Sequence, residues 1–166
     1  MNPVSLKPWQ MQDAQQLTRI ANNKNIWNNV LDNFPNPYTV TDALKWISKE
    51  NTVSPISKFA IVYHQTIVGS IGMHFNEDVY KNTIELGYFV DEQFWGKGIC
   101  TEAIKILVLH IQQNALANRI FARVFHHNTA SMKALQKSGF FLEGIQQKAA
   151  IKNNVLCDVF VWVKLL

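Results

Sequence analysis

The chain has 166 residues, of which 48% are apolar, and a formal net charge of +4 at pH 7. This length suits a single domain over residues 1–166 that buries roughly two thirds of the surface of its unfolded chain. Its lysines are scattered rather than gathered among aromatic residues, so nucleic acid is not an expected partner. The chain has no run of eighteen apolar residues and no basic start with a cleavage site, so we expect neither a membrane span nor a secretory signal, and a cytoplasmic location.

The first third of the chain predicts one strand and two helices. Residues 4–9 alternate weakly and suit an edge strand, and Asp13 is placed to cap a helix that runs to about residue 23. Residues 22–36 are rich in Asn and predict an irregular or only briefly helical stretch. Thr39 and Asp42 then have the spacing of a capping box at the start of the next helix.

A hairpin is predicted next. Residues 58–63 and 66–75 read as two strands joined by a tight turn at His64 and Gln65. Gly69 and Gly72 inside the second strand indicate a bulge or a close approach of another backbone. The polar residues 76–82 form a turn that leads into the central strand.

The segment that carries the chemistry is a strand, a glycine loop and a helix. Residues 83–90 alternate with the period of a strand, Gly96 and Gly98 follow, and a mostly buried helical pattern begins at Ile99. Unpaired N–H groups at such a helix start form an anion site suited to phosphates. The fingerprints of dinucleotide-binding and P-loop proteins are absent, since Thr101 stands where a dinucleotide fold needs its third glycine.

The remaining elements are strand, helix, strand and strand. Residues 120–125 predict a short strand parallel to the central one, because a long helix joins the two. Asn128 is a suitable N-cap for a helix that stops at Gly139. Residues 140–151 and 155–165 predict the last two strands.

Neither the cysteines nor the histidines have the spacing of a metal site. Cys100 and Cys157 are far apart in sequence, and we expect both to be reduced, buried and apolar in role. His126 and His127 are adjacent but have no third ligand at fixed spacing, so no metal is expected.

Three motifs carry a resemblance to a known family. They are Gln93-x-x-Gly96-x-Gly98 after Gly-Tyr-Phe-Val and before Thr-Glu-Ala, Asn128-x-x-Ser131 with Lys137-Ser138-Gly139-Phe140 behind it, and the phrase Asn-Phe-Pro-Asn-Pro-Tyr. Together they resemble the GNAT superfamily of N-acetyltransferases, in particular its RimJ/RimL-like branch, over nearly the whole chain. The resemblance implies an α/β (α+β) GNAT fold, with a mixed, mostly antiparallel central sheet of about seven strands flanked by about four helices.

The resemblance also implies acetyl-CoA as the cofactor and a set of site residues. The loop amides from Phe94 to Ile99 would bind the pyrophosphate, and the backbone of the central strand would hold the pantetheine arm. The expected cofactor-binding residues are Phe89, Val90, Gln93, Phe94, Trp95, Gly96, Lys97, Gly98, Ile99, Thr101, Asn128 and Ser131. Glu85 is the expected general base, because it is the only carboxylate within the central strand and matches the family's candidate base.

The acid that protonates the leaving thiolate is left open. Many GNAT enzymes carry a tyrosine on the last helix, but Leu135 stands at the comparable place in this chain. Ser131, a water molecule or no acid at all are the alternatives.

The expected function is therefore acetyl transfer to a primary amine by direct attack. The alternatives for the acceptor are a protein N-terminus, such as that of a ribosomal protein, and a small molecule such as a polyamine, an amino acid or an aminoglycoside. Trp27, Phe34 and Tyr38 are candidates for contacting it, with a core role as the alternative for each. The rival functions are a catalytically silent acyl-CoA-binding sensor and an interaction module in which the loop is a bare turn. A homodimer is a further expectation, since similar proteins often form dimers.

Overall fold

The computed structural model of the chain describes residues 3–166. Within this range the strands are β1 (Val4–Pro8), β2 (Lys58–Tyr63), β3 (Thr66–Phe75), β4 (Thr83–Val90), β5 (Arg119–Phe125), β6 (Phe141–Lys152) and β7 (Val155–Leu165). The α-helices are α1 (Ala14–Ala21), α2 (Lys24–Trp27), α3 (Val40–Glu50), α4 (Ile99–Gln113) and α5 (Thr129–Lys137). The seven strands match the prediction, and the helix beyond the four expected is the single turn α2 in the Asn-rich stretch.

The strands form one sheet in the order β1-β2-β3-β4-β5-β7-β6. β2 is antiparallel to both β1 and β3, and β7 is antiparallel to both β5 and β6. β4 and β5 are parallel, with Thr83 opposite Arg119 and Glu85 opposite Phe121. The long helix α4 makes this parallel pair possible, because a parallel connection needs a crossover of a dozen or more residues. The predicted mixed, mostly antiparallel sheet is confirmed.

The chain divides into two compact units. The first contains the described residues up to Gly72 together with Tyr88–Ile99, and the second contains Met73–Gly87 and Cys100–Leu166. The core of the first unit gathers apolar side chains of α1, α2, α3 and the first strands, among them Trp9, Leu17, Ile20, Ile26, Tyr38, Ala43, Ile47 and Ala60. The fully buried side chains of the second unit include Ile84, Ile104, Leu107, Ile111 and Ile120. That residues 1–166 behave as a single domain stays a prediction.

Both hairpins use two-residue turns with positive φ. The φ angles are 44° and 66° at His64 and Gln65, and 51° and 61° at Asn153 and Asn154. Two successive residues of positive φ give the turn type whose twist matches that of the flanking strands. The Asn pair tolerates this conformation well. His64 and Gln65 also adopt it, and the centroid of the His64 ring lies 4.3 Å from that of the Tyr63 ring.

The helix starts confirm two of the three caps predicted from sequence. Thr39 Oγ1 accepts from the Asp42 N–H (3.2 Å), and the Asp42 carboxylate accepts from the Thr39 N–H (2.9 Å), so the capping box is complete. Asn128 caps α5. The prediction for Asp13 is wrong, because its carboxylate accepts from the Gln10 N–H (3.0 Å) and from Lys7 Nζ (2.9 Å) instead.

Two further features bear on the site. Gly69 of β3 confirms the predicted close approach, since a Cβ there would overlap the carbonyl oxygen of Phe89. The β2–β3 register also shifts between Ile61 and Val62.

None of the helices in residues 3–166 combines the length and the apolar character needed to cross a bilayer.

Candidate active site

The glycine loop in the first unit connects β4 to α4. Asp91 caps a short 3-10 turn (Glu92–Phe94), with its carboxylate accepting from the Gln93 N–H at 3.2 Å. Gly96 and Gly98 follow, each with φ of +76°. A Cβ at either glycine would meet no atom within 4 Å. These glycines are therefore required by backbone conformation rather than by crowding, and the space around them is open.

The N–H groups of this loop fall into two sets. The N–H of Phe94 donates to the Asp91 carbonyl (2.8 Å), and that of Trp95 donates to the Glu92 carbonyl (3.1 Å). Among the hydrogen bonds recorded for residues 3–166, none starts from the N–H of Gly96, Lys97 or Gly98. α4 begins at the next residue, Ile99, and the first N–H groups of a helix have no partner within it. The donors available for an anion are thus those of the glycine pair and the first turn of α4.

Polar side chains of the first unit hold this loop in place. Arg19 Nη2 donates to the Asp91 carboxylate at 2.7 Å, and the Asp91 side chain is almost fully buried. The side-chain amides of Asn23 and Asn25 donate to the Glu92 carboxylate at 2.8 and 2.9 Å. These amide hydrogen bonds lower the pKa of Glu92. No local sequence signal indicated these anchors, because the partners are 67 to 72 residues apart.

The strand end predicted to hold the pantetheine arm is also tied to the loop. The Trp95 indole N–H donates to the Val90 carbonyl at 2.7 Å, so that carbonyl already has one partner. The Phe89 ring packs edge-on against Phe34, with ring centroids 5.6 Å apart. Any ligand that pairs with the backbone here therefore meets a strand end that is already held at Val90 and at Phe89.

The three aromatic candidates for acceptor contact differ in exposure. Tyr38 is 5% exposed and belongs to the core, and burial, followed by the charge of Asp42, raises its pKa to about 12. Phe34 packs on both Tyr38 and Phe89. The Trp27 indole donates to the Phe34 carbonyl at 3.0 Å, and Lys24 Nζ lies 3.7 Å from its ring centroid. Its burial favours a core role for Tyr38, whereas Trp27 and Phe34 are partly exposed and stay candidates for contact with the acceptor.

Glu85 lies in the second unit and is paired with an arginine. Arg123 Nε and Nη2 donate to the two carboxylate oxygens of Glu85, both at 2.8 Å. This pairing raises the pKa of Arg123, chiefly through the hydrogen bonds from its guanidinium. A carboxylate has about four lone-pair positions, so two remain after bidentate pairing. Sequence reasoning found Glu85 but not Arg123.

Glu85 lines an open cavity of about 630 Å³ in the second unit. A second bidentate pair lies in the same cavity, in which Arg119 donates to both oxygens of Glu143 at 2.6 and 2.5 Å. The hydrogen bonds from Arg119 lower the pKa of Glu143. The full lining consists of Asn76, Tyr80, Thr83, Glu85, Arg119, Phe121, Arg123, Glu143, Gly144, Ile145, Gln146 and Val161. Two arginines and two glutamates in this lining are thus neutralised in pairs.

The N-terminal turn of α5 places Asn128 and Ser131 next to each other. The side-chain oxygen of Asn128, Oδ1, accepts from the Ser131 N–H at 3.2 Å, which is the N-cap predicted from sequence. No partner for the Asn128 Nδ2 group is recorded within residues 3–166. Leu135, where many family members have a tyrosine, is fully buried. The backbone carbonyl of Thr101, in the first turn of α4, accepts a hydrogen bond from Ser138 Oγ at 3.3 Å.

The two cysteines are free thiols in different surroundings. Burial raises the pKa of Cys100 to about 12, although the residue as a whole keeps some exposed surface. Such a thiol is a poor nucleophile, because the thiolate is the reactive form. Cys157 is buried beside His126 and His127, a grouping that their spacing in sequence does not indicate.

The family follows from comparison with known proteins. A family model described as an acetyltransferase (GNAT) domain matches residues 4–141. The chain belongs to the GNAT acetyltransferase family. The match includes β4, the glycine loop and the N-terminal turn of α5, and it confirms the family resemblance read from the sequence motifs.

The curated relatives of this GNAT chain align over parts of their length. The probable N-acetyltransferase YjcK of Bacillus subtilis is 41% identical over 76 residues, which is 46% of this chain and 42% of that protein. The ribosomal-protein-serine acetyltransferase of Escherichia coli is 29% identical over 108 residues, which is 65% of this chain and 60% of that protein. The chain thus matches less than two thirds of the length of either relative.

Solved structures share the fold over the whole chain. The microcin C7 self-immunity acetyltransferase MccE, solved with acetyl-CoA and AMP, has a TM-score of 0.85 and 25% identity, and the match covers 100% of this chain and 94% of that one. RimL, the ribosomal L7/L12 alpha-N-protein acetyltransferase solved with coenzyme A, has a TM-score of 0.88 and 18% identity, with 100% and 96% covered. RimJ of Mycobacterium smegmatis, solved with CoA-disulfide, has a TM-score of 0.86 and 22% identity, and the match covers 98% of this chain and 81% of that one. These matches confirm the GNAT fold.

Proposed function

We propose that this chain is an acetyl-CoA-dependent N-acetyltransferase that transfers an acetyl group to a primary amine by direct attack. The observation that carries the proposal is the loop with Gly96 and Gly98 at positive φ, open space around both, and α4 starting directly behind it. Family membership supports it, and so does the structural relative MccE, which was solved with acetyl-CoA.

The cofactor would be held by backbone and side-chain donors. The pyrophosphate would accept from the N–H groups of Gly96, Lys97, Gly98 and Ile99, with the Thr101 hydroxyl as a further donor, at the positive end of the α4 dipole. The amides of Phe94 and Trp95 serve the loop itself, so their contribution is to its shape. Gln93 would add an exposed side chain at the entrance of the loop, and Phe89 and Val90 would face the pantetheine arm. Asn128 and Ser131 are proposed as its contacts on α5.

The chemistry needs a base, an oxyanion donor and a leaving thiolate. Glu85 would accept a proton from the ammonium of the acceptor, and the neutral amine would then attack the thioester carbonyl. A backbone N–H of β4 facing the oxyanion would stabilise the tetrahedral intermediate by about 3 kcal/mol. Collapse of the intermediate would break the C–S bond and release the CoA thiolate, while the positively charged nitrogen would lose its second proton to water. The thiolate would take a proton from water, or from Ser131, which solvent would then reprotonate.

The cavity around Glu85 is proposed as the acceptor subsite. Both of its glutamates are already paired with arginines, so it offers no unpaired carboxylate for a polycation among its described lining residues. This favours an acceptor in which peptide groups, rather than further charged amines, follow the reacting amine, as at a protein N-terminus. The E. coli relative is named for acetylating ribosomal-protein serine. A polyamine is the second candidate, because a B. subtilis relative, 30% identical over 57 residues, is a spermine/spermidine N(1)-acetyltransferase.

The first test is the melting temperature of the chain with and without acetyl-CoA. Ligand at about 100 times its dissociation constant adds roughly 2.7 kcal/mol. For a chain of this size that corresponds to a shift on the order of 5 to 10 °C. Desulfo-CoA, which keeps the phosphates but lacks the thiol, should give a similar shift. The absence of a shift at saturating acetyl-CoA would reject the cofactor and leave an interaction module.

The second test is thiol release with a panel of amines. Peptides with a free N-terminal serine or alanine are compared with the same peptides blocked at the N-terminus, and with spermine. Release with free but not blocked peptides is the expected result. A thermal shift without release from any amine would instead favour the silent acyl-CoA-binding module.

Location and assembly belong to the same proposal. We propose the cytoplasm as the location and a homodimer as the assembly. Sedimentation of the purified chain over a range of concentrations tests the second, and a monomer at every concentration would reject it.

A further inference from the structure

Three potential metal ligands meet at one end of the β5–β7 ladder. His126 and His127 follow β5, and Cys157 lies in β7. Their ligand atoms, one imidazole nitrogen from each histidine and the Cys157 sulfur, all lie within 4.8 Å of one another. The cluster belongs to the second unit and shares no residue with the lining of the charged cavity.

The backbone around the cluster is fixed by hydrogen bonds. The His126 N–H donates to the Asp158 carbonyl at 3.0 Å, which continues the ladder past the Phe125–Val159 pair. On the other side of the turn, the Asn128 N–H donates to the Phe125 carbonyl at 2.9 Å. The approach of the imidazoles to the thiol is thus set by strand pairing and does not depend on the side chains alone.

The exposure of the three side chains suits an ion that enters from solvent. Cys157 is 3% exposed and forms the floor, whereas both histidines are exposed. The two imidazole rings stand edge to face, with centroids 5.3 Å apart and an interplanar angle of 85°. The Cys157 thiol is not in a disulfide, and the hydrogen bond recorded for it within residues 3–166 goes to the Val155 carbonyl, with sulfur and oxygen 3.4 Å apart. A weak contact of this kind is easily exchanged for a metal–sulfur bond.

The ligand set selects the class of ion. One thiolate and two imidazoles suit Zn²⁺ and similar borderline-soft ions, whereas Ca²⁺ and Mg²⁺ require oxygen ligands. Zn–S and Zn–N bonds of about 2.3 and 2.0–2.1 Å in a tetrahedron put the ligand atoms roughly 3.3–3.6 Å apart. The exposed imidazoles can close the remaining gap by side-chain rotation. Three protein ligands leave the fourth tetrahedral position to water.

We propose that His126, His127 and Cys157 form a binding site for one thiophilic divalent cation, with Zn²⁺ as the preferred ion. On binding, the Cys157 thiol loses its proton to solvent, and each histidine donates the lone pair of a neutral imidazole. None of the three ligands is among the residues proposed for acetyl transfer, so ion binding and the proposed function are tested by separate measurements.

The experiment uses the full chain, stripped with a chelator and kept in a reductant that contains no thiol. Equilibrium dialysis against ZnSO₄ measures the number of ions bound and their affinity. Co²⁺ serves as the spectroscopic probe, because a thiolate ligand gives a charge-transfer band in the near ultraviolet that a site built only from imidazoles lacks. The expected result is one ion per chain together with this band.

Matched variants decide which residues bind the ion. Cys157→Ser should abolish the charge-transfer band, whereas Cys100→Ser should leave it unchanged. His126→Ala and His127→Ala should each weaken Zn²⁺ binding by at least about 10-fold, since even the loss of an outer-shell partner costs 10- to 100-fold. His64→Ala is the control for an exposed histidine outside the cluster.

Two results would overturn the proposal. One is Zn²⁺ binding no tighter in the parent chain than in the double variant His126→Ala/His127→Ala, whose substitutions are exposed and should not prevent folding. The other is a Co²⁺ spectrum without a thiolate band in a parent chain whose thiols are shown to be reduced.

Discussion

The glycine loop and the charged cavity offer a ligand different chemical groups. The loop offers backbone N–H groups around Gly96 and Gly98, and its side chains, such as Asp91, serve to hold it in shape. The cavity offers side-chain charges, and its four charged residues lie in the strands β4, β5 and β6. The loop should therefore be sensitive to changes of conformation, and the cavity to changes of charge at constant shape. Substitutions at Gly98, Glu85, Gly69 and Glu143 test this contrast.

The largest effect is expected for Gly98→Glu. A side chain at φ of +76° costs about 1–2 kcal/mol, and a carboxylate about 4 Å from a phosphate adds repulsion on the order of 4 kcal/mol at an effective dielectric constant of 20. Acetyl-CoA binding, measured by calorimetry, should become undetectable. In Gly98→Ala the free loop relieves this cost by leaving positive φ and must regain it to bind the phosphates, so binding should weaken by up to roughly 5- to 30-fold. Retained affinity in the Glu variant would show that the phosphates bind elsewhere.

Glu85→Gln should remove catalysis at constant shape. The variant keeps one of the two acceptors for Arg123 but cannot accept a proton at neutral pH, so turnover should fall by roughly 10²- to 10⁴-fold. Acetyl-CoA affinity should stay near that of the parent. Glu143→Gln is the matched control, because it also removes an arginine-paired carboxylate from the same cavity, and its turnover should change little. Parent-like turnover of Glu85→Gln at every pH would exclude Glu85 as the base.

Gly69→Ala tests the support beneath the strand end that leads into the loop. The added Cβ would overlap the Phe89 carbonyl oxygen, which is backbone and cannot move aside cheaply. Overpacking of this kind costs about 1–3 kcal/mol of unfolding free energy, measurable as a lower urea midpoint. Gly144→Ala is the control, since a Cβ there meets nothing within 4 Å and should stay within about 0.5 kcal/mol of the parent. Equal midpoints for the two variants would mean that β3 and β4 can separate without cost.

The contrast also explains what the sequence could and could not predict. The glycine loop was predicted because its signal is local, a strand pattern, two glycines and a helix pattern in succession. The partners of Glu85 and Asp91 were not, because Arg123 and Arg19 are 38 and 72 residues away. Arg123 reaches Glu85 through strand order and register, and Arg19 reaches Asp91 from helix α1. Cys157 joins His126 and His127 for the same reason. The error at Asp13 is of another kind, since a 3-10 turn preceded the helix and moved the carboxylate to a different N–H.

The smallest effect concerns the acid stability conferred by the Arg119–Glu143 pair. The hydrogen bonds from Arg119 hold the pKa of Glu143 below its ordinary value of 4.5. A carboxyl whose pKa is lower in the folded state stabilises the fold at pH above its unfolded value, and this contribution is lost as the pH falls through the folded value. Glu143→Gln should therefore lower the melting temperature slightly at neutral pH and leave the difference from the parent smaller below pH 4.5. The effect should be small, because the pair is largely exposed and screened by salt. Glu77→Gln, at an exposed site outside the ion pairs recorded for residues 3–166, is the control and should follow the parent throughout. A Glu143→Gln curve that runs parallel to the parent curve across this range would show that the pair, although bidentate, does not couple stability to pH.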